Sequence, residues 1–344
     1  MTNISRRRFV QSLSLASAAL AAASAGLYSA DSRAAEFRLK FANNLPMNHP
    51  MNIRAREAAK RIREESEGSV SLQVFPSSQL GGDTDMLAQA RSGAIDLYAG
   101  PPVILGTLIP SAQISAVGFA FKDYDQVWAA MDGELGAHIR SEIAKSEVLF
   151  AFEKIWDNGF RVTTTSSRPI ATPADLLGMK LRVPPSPIIM SMFRGFDAAP
   201  TSINFSEVYS ALQTRIVEGQ ENPLTLIASA KLYEVQKYCS MTNHMWDGFW
   251  ILGNQAKFAG LPASVQALVT RHINEAGVNM RADLRMMQQG VIEVLGSKGL
   301  ILSSVAPEAF RQKLREAGYY AQWRETFGET PWALLEKTSG ALVS

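Results

Sequence analysis

Thr172-Pro173-Ala174-Asp175-Leu176-Leu177-Gly178-Met179-Lys180-Leu181-Arg182-Val183-Pro184-Pro185 holds a helix start, a helix stop, a strand and a strand stop in one short run. Thr172 offers a hydroxyl at the N-cap, and Pro173 takes the first helical position, where its missing N–H costs nothing. Asp175 places a carboxylate three residues after the cap. Gly178 ends the short helix. Alternation then sets Met179, Leu181 and Val183 on one face of a strand, with Lys180 and Arg182 on the other. Pro184-Pro185 stops that strand. Helix and strand in such quick succession are the rhythm of an α/β chain. The run also leaves an arginine at the carboxyl end of a strand, where open α/β sheets dock ligands.

The same rhythm extends in both directions. Phe37 to Phe41 alternates strictly and reads as the first strand, and Met51, Ala55, Ala58, Ala59 and Ile62 give the next helix one apolar face. Val70 to Phe75 is a strand stopped by Pro76, Thr84 to Arg91 a short helix, and Ala94 to Ala99 a further strand. Val148 to Phe152 suits a buried strand, and Arg161 to Thr165 is β-branched and extended. Val208, Ala211, Leu212 and Ile216 mark another amphipathic helix. From Ser264 to Ser297 there is no proline, so a helix long enough to brace two lobes is expected. Extended crossovers between the lobes are expected near 156–161 and 242–247.

Residues 1–34 read as an export leader. Ser5-Arg6-Arg7-Arg8-Phe9-Val10 is a basic start, Leu13 to Ala25 an uncharged run, and Ser32-Arg33-Ala34 a small-residue cleavage site. Paired arginines before an apolar residue resemble the twin-arginine type of leader. These residues carry four of the 34 basic and one of the 32 acidic residues, leaving 30 and 31 beyond them. The remainder is near neutral, with no basic stripe to bind nucleic acid and no apolar run of membrane-spanning length. Cys239 is the single cysteine, so no internal disulfide is possible.

Catalytic and metal-binding patterns are not found. His49, His138, His244 and His272 are scattered, and no P-loop, G-x-S-x-G or G-x-G-x-x-G is present. Glu64-Glu65 lies on the wet face of a predicted helix. The groups that stand out are cationic and amide. A guanidinium at Arg182 presents a fixed fork matched to a carboxylate, although pairing with a structural acid is an equal alternative, as it is for Arg161. Asn222, before Pro223, suits either a ligand contact or a turn cap.

Five segments in order are similar to the dicarboxylate-binding-protein type of solute receptor from tripartite ATP-independent periplasmic (TRAP) transporters. They are Phe75 to Gly82, Asp157 to Arg161 with Arg168-Pro169-Ile170, Thr172 to Pro187, Phe205 to Gln213, and Val217 to Pro223. Glu218, where many members have aspartate, and Gly195-Phe196-Asp197 depart from the pattern. The resemblance implies a two-lobed type II periplasmic-binding-protein fold with a ligand cleft between lobes. The lobes are expected over 35–158 with 247–287 and over 159–246 with 288–344.

The resemblance also implies roles. Arg182 falls on the arginine that pairs with the substrate carboxylate, Arg161 on a second positive contact, Asn222 on an amide contact and Phe205 on an aromatic over the ligand. Asn44 resembles a polar contact from the first lobe. Trp156, with Trp246, Phe249 and Trp250, adds aromatics near the hinge and cleft, and Trp156 is included among the expected binding residues. The implied partners are one small carboxylate and the membrane permease subunits, with a periplasmic monomer, no cofactor, no metal and no enzymatic turnover. The rival readings are a periplasmic lyase or hydrolase of organic acids and a ligand module for a membrane sensor.

Overall fold

A computed structural model describes residues 35–343, so the leader expected over 1–34 lies outside the described residues. One continuous sheet organises the chain. Its strands are β1 (Phe37–Ala42), β2 (Val70–Phe75), β3 (Leu97–Gly100), β4 (Leu149–Ala151), β5 (Trp156–Thr165), β6 (Lys180–Val183), β7 (Ala199–Ser202), β8 (Gly219–Pro223), β9 (Tyr238–Asn254) and β10 (Ile301–Ser304). Their spatial order is β2-β1-β3-β9-β5-β8-β6-β7, with β4 and β10 also paired to β9.

The two halves of this sheet are sewn together by β5 and β9. The last residues of β9 pair antiparallel with β3, Leu97 opposite Gly253 and Gly100 opposite Trp250. Its first residues pair parallel with β10 and antiparallel with β5, Thr165 opposite Tyr238. β5 runs beside it in the other direction, with Trp156 opposite Phe249. The register slips between Asp157 and Gly159, and Gly159 sits at φ +113°, a backbone conformation that residues with a Cβ rarely adopt. The two crossovers expected from sequence are therefore neighbouring strands of one ribbon, with β9 longer than the short segment expected there.

The long helix Ala263–Ser297 is a further crossing. It packs on the helix Pro50–Glu65 at one end and meets β10 and the helix Leu224–Ser229 toward the other. Gly277 lets the helix lie close against β5, since a Cβ there would meet the Trp156 ring at 2.7 Å. The C-terminal helices cross as well. Glu308–Glu316 packs on Pro187–Gly195, whereas Glu329–Ser339 packs on Tyr124–Met131 and Glu134–Ala144.

The deciding stretch folds as its residues dictate. Pro173–Leu176 is a single 3₁₀ turn, and the Asp175 carboxylate accepts hydrogen bonds from the backbone N–H groups of Ala171 and Thr172. In β6, Leu181 and Val183 are fully buried and Lys180 is exposed. Arg182 faces away from Leu181 and is nevertheless only 1% exposed, because Phe205 and the neighbouring half of the molecule close over it. Among the described residues no helix is long and apolar enough to cross a membrane.

Candidate functional site

Arg182 is held on β6 between β7 and β8, opposite Thr201 and Gln220. Its Nε donates to the carbonyl of Ile203 at 2.9 Å, and its guanidinium carbon lies 5.9 Å from the centre of the Phe205 ring. Among the described residues no carboxylate lies within ion-pair distance of it, and that one bond is its only side-chain hydrogen bond. Burial draws its pKa down to about 10, with the charge of Glu221 opposing the fall, Arg161 adding to it and Asp83 opposing it. The Nη groups of this buried guanidinium have no carboxylate at ion-pair distance, and the more distant Glu221 and Asp83 offset its desolvation only in part.

Arg161 is the opposite case. On β5, its Nε donates to Glu221 Oε2 at 2.5 Å, Nη2 to Glu221 Oε1 at 2.6 Å and to the Glu221 carbonyl at 2.7 Å, and Nη1 to Asp247 Oδ2 at 2.6 Å. Burial works against its charge, but the Glu221 and Asp247 carboxylates more than offset that and raise its pKa. Burial alone would raise Glu221; Arg161, and then His244, hold it down at about 2. His244 Nε2 lies 3.1 Å from Glu221 Oε2, and its Nδ1 lies 2.8 Å from the Thr242 hydroxyl. Burial lowers the imidazole despite Glu221, so the neutral ring donates to Glu221 and accepts from Thr242.

Arg182, Arg161, Asn222, Phe205 and Asn44 all line one cavity between the two halves of the sheet, together with Asp83, Asn158, Asp247 and Phe249. It encloses about 20 Å³, room for a single water. Asn222 spends one amide proton on Gln220 Oε1, and Gln220 in turn donates to Thr164. Asn44 donates from Nδ2 to Asp83 Oδ2 at 2.9 Å. A larger pocket of about 270 Å³ lies beyond Asn158, lined by Tyr124, Phe160 and Gln288, but it contains neither arginine, so size alone does not locate the site.

Trp156 does not join them. Its ring is fully buried against Phe41 and the long helix, and its Nε1 donates to the Ile273 carbonyl at 3.2 Å. A large ring at the start of β5, facing a helix that carries Gly277, fills the core and does not reach the cleft. Trp246 and Trp250 are likewise buried in the core, and of the aromatics grouped with Trp156 only Phe249 borders the cavity. Sequence reasoning missed Asp83, Asn158 and Asp247. Asn158 and Asp247 stand in stretches read as crossovers, and Asp83 lies one residue beyond the end of the Phe75 to Gly82 segment.

A cleft between two α/β lobes, with a guanidinium that lacks a protein acid and amides converging beside it, defines a solute-binding protein. The chain belongs to the bacterial extracellular solute-binding protein family 7 (DctP), whose pattern matches residues 41–326. It is 32% identical over 298 residues to the 2,3-diketo-L-gulonate-binding periplasmic protein YiaO of Escherichia coli, covering 86% of this chain and 90% of that one. The structure of a TRAP periplasmic solute binding protein from Sulfurospirillum deleyianum with bound succinate superposes with a TM-score of 0.82 at 28% identity, over 89% of this chain and 99% of that one. One from Roseobacter denitrificans with bound L-galactonate gives 0.81 at 28% identity, again over 89% and 99%. Members of the family are substrate-binding proteins, and the fold is the two-lobed periplasmic-binding type.

Proposed function

We propose that this chain is exported to the periplasm and acts there as the solute receptor of a TRAP transporter. It closes its cleft on one small organic carboxylate and presents it to the membrane permease subunits, as a monomer without cofactor, metal or turnover. The observation that carries this reading is Arg182: a buried guanidinium whose Nη groups have no acid among the described residues. A ligand carboxylate supplies the missing acid with two charge-assisted bonds. Succinate, L-galactonate and 2,3-diketo-L-gulonate, the acids named for the relatives, support the ligand class.

The moving bodies in this reading are residues 35–158 with 247–287 and residues 159–246 with 288–344, the last helix being laid back across the first body. A 20 Å³ cavity does not admit an organic acid, so entry requires the halves to part. A thermal-shift screen of organic acids against the wild type and Arg182→Ala tests the function. A ligand at 100 times its Kd raises stability by about 2.7 kcal/mol, a shift expected in the wild type and absent from the variant. Small-angle scattering of the wild type should show compaction with the same acid. An acid that stabilises both proteins equally would refute the role of Arg182.

A further inference from the structure

We infer that the cleft selects a monocarboxylate carrying hydroxyl groups and rejects dicarboxylates, with Asp83 as the residue that makes the distinction. This rests on the carboxylate-receptor reading of Arg182.

The charges around the cleft are unbalanced. Arg161 is shared between Glu221 and Asp247, so it has no spare charge for a ligand. Arg182 can take one carboxylate. The other ionisable groups on the cavity wall are Asp83 and Asp247, whose pKa values burial raises, and no Lys or His lines it. A second ligand carboxylate would therefore face acids in a cavity with room for a single water, where like charges are screened little and repel strongly.

The unsatisfied polar atoms point the same way. Asn44 and Asn158 both line the cavity, and their Oδ1 atoms are buried with no hydrogen-bond partner among the described residues. Their amide orientations follow from their partners: Asn44 Nδ2 donates to Asp83 Oδ2 at 2.9 Å, and Asn158 Nδ2 to Asp247 Oδ2 at 3.1 Å. Reversing either amide would set its oxygen against a carboxylate oxygen. Asp83 itself is 3% exposed, and its Oδ1 accepts from the Tyr98 hydroxyl at 3.2 Å. The buried polar atoms left without a partner among the lining residues are thus acceptors, which cost free energy when buried without a donor. A ligand carboxylate offers none. A ligand hydroxyl offers one, and rejection of analogues lacking it follows from the acceptors left unpaired.

Titration calorimetry on the leaderless chain at neutral pH tests this with size-matched acids. The four-carbon series is erythronate, butyrate and succinate; the six-carbon series is galactonate, hexanoate and adipate. In at least one series the hydroxy acid should bind about 100-fold more tightly than the dicarboxylate and at least about 10-fold more tightly than the unsubstituted acid. Asp83→Asn should narrow the gap between hydroxy acid and dicarboxylate by at least about 10-fold, since it removes the opposing charge. A dicarboxylate or unsubstituted acid that binds as well as the hydroxy acid, or hydroxy acids that bind in neither series, overturns the inference. If dicarboxylates bind and Arg182→Ala abolishes it, the receptor reading survives and only the role of Asp83 fails. If Arg182→Ala leaves binding intact, both fail. The wild-type series decides even if Asp83→Asn does not fold.

Discussion

Arg161 and Glu221 meet as parallel forks, with Nε donating to Oε2 at 2.5 Å and Nη2 to Oε1 at 2.6 Å, both side chains being fully enclosed. This pair stands at the junction of β5 and β8, where Thr163 lies opposite Glu221. It engages Arg161 with protein acids, whereas Arg182 has none at ion-pair distance among the described residues.

Removing one member of such a buried pair leaves the other charge uncompensated. Glu221→Ala should lower apo stability by about 3–5 kcal/mol, read as a lower urea midpoint with an unchanged slope. A loss of less than about 1 kcal/mol would show that the pair does not matter to folding.

Arg182 should behave in the reverse manner. Arg182→Ala is expected to weaken binding of the cognate acid by about 2–5 kcal/mol while leaving the apo melting temperature unchanged or raised, because an unpaired buried charge is removed. Arg182→Lys should also bind more weakly, since an ammonium lacks the planar fork. Calorimetry alongside apo melting curves checks both parts. A destabilised apo protein with intact affinity would make Arg182 a structural residue.

Gly159 should resist substitution. At φ +113°, an alanine would be strained by about 1–3 kcal/mol, and its Cβ would also touch Pro223 and the Tyr124 hydroxyl at 3.4 and 3.5 Å. Gly178, at φ +66° with open space around its missing Cβ, should accept asparagine with much smaller loss. Chemical unfolding of Gly159→Ala and Gly178→Asn should therefore separate clearly.

His49 gives the fold an acid-sensitive cap. Its Nδ1 accepts from the Met51 N–H at the start of Pro50–Glu65, and burial depresses the imidazole to about 3. The folded state binds the proton less readily than the unfolded chain, whose imidazole titrates near its ordinary 6.5. The associated stability is thus fully present above about pH 6.5 and is lost as pH falls toward 3. At pH 4.5 the loss from this group is about 2–3 kcal/mol. His49→Asn keeps a capping oxygen and should flatten the decline of melting temperature between pH 6.5 and 4.5. Parallel declines in the two proteins would exclude His49 as the cause.

The α/β class, the long helix and most strands were legible because local signals agreed there: alternation in Phe37 to Phe41, Pro76 after Phe75, and the turn at Thr172 to Gly178. Arg182 was legible as a strand-end cation, but its lack of an acid partner was not, since that depends on which carboxylates the fold spends elsewhere. Arg161 shows this. Glu221 and Asp247 reach it from other strands, and no local pattern assigns them. Trp156 was misread for the same reason: proximity to a crossover does not say which face of the sheet a ring occupies. Asp83 and Asn158 became visible only when the two halves of the sheet brought them to the same cavity as Arg182.

The length of β9 has a consequence for how the chain is made. β3 ends at Gly100, yet its antiparallel neighbour is Trp250–Gly253. A ribosome releases β1, β2 and β3 well before that neighbour exists, so a sheet edge stays open while residues 101–249 are being synthesised. The N-terminal strands therefore cannot complete their pairing as they emerge, and β3 waits for its neighbour until residues 250–253 have been made. A chain built in this order carries the unpaired edge of β3 until the second half of β9 has been made.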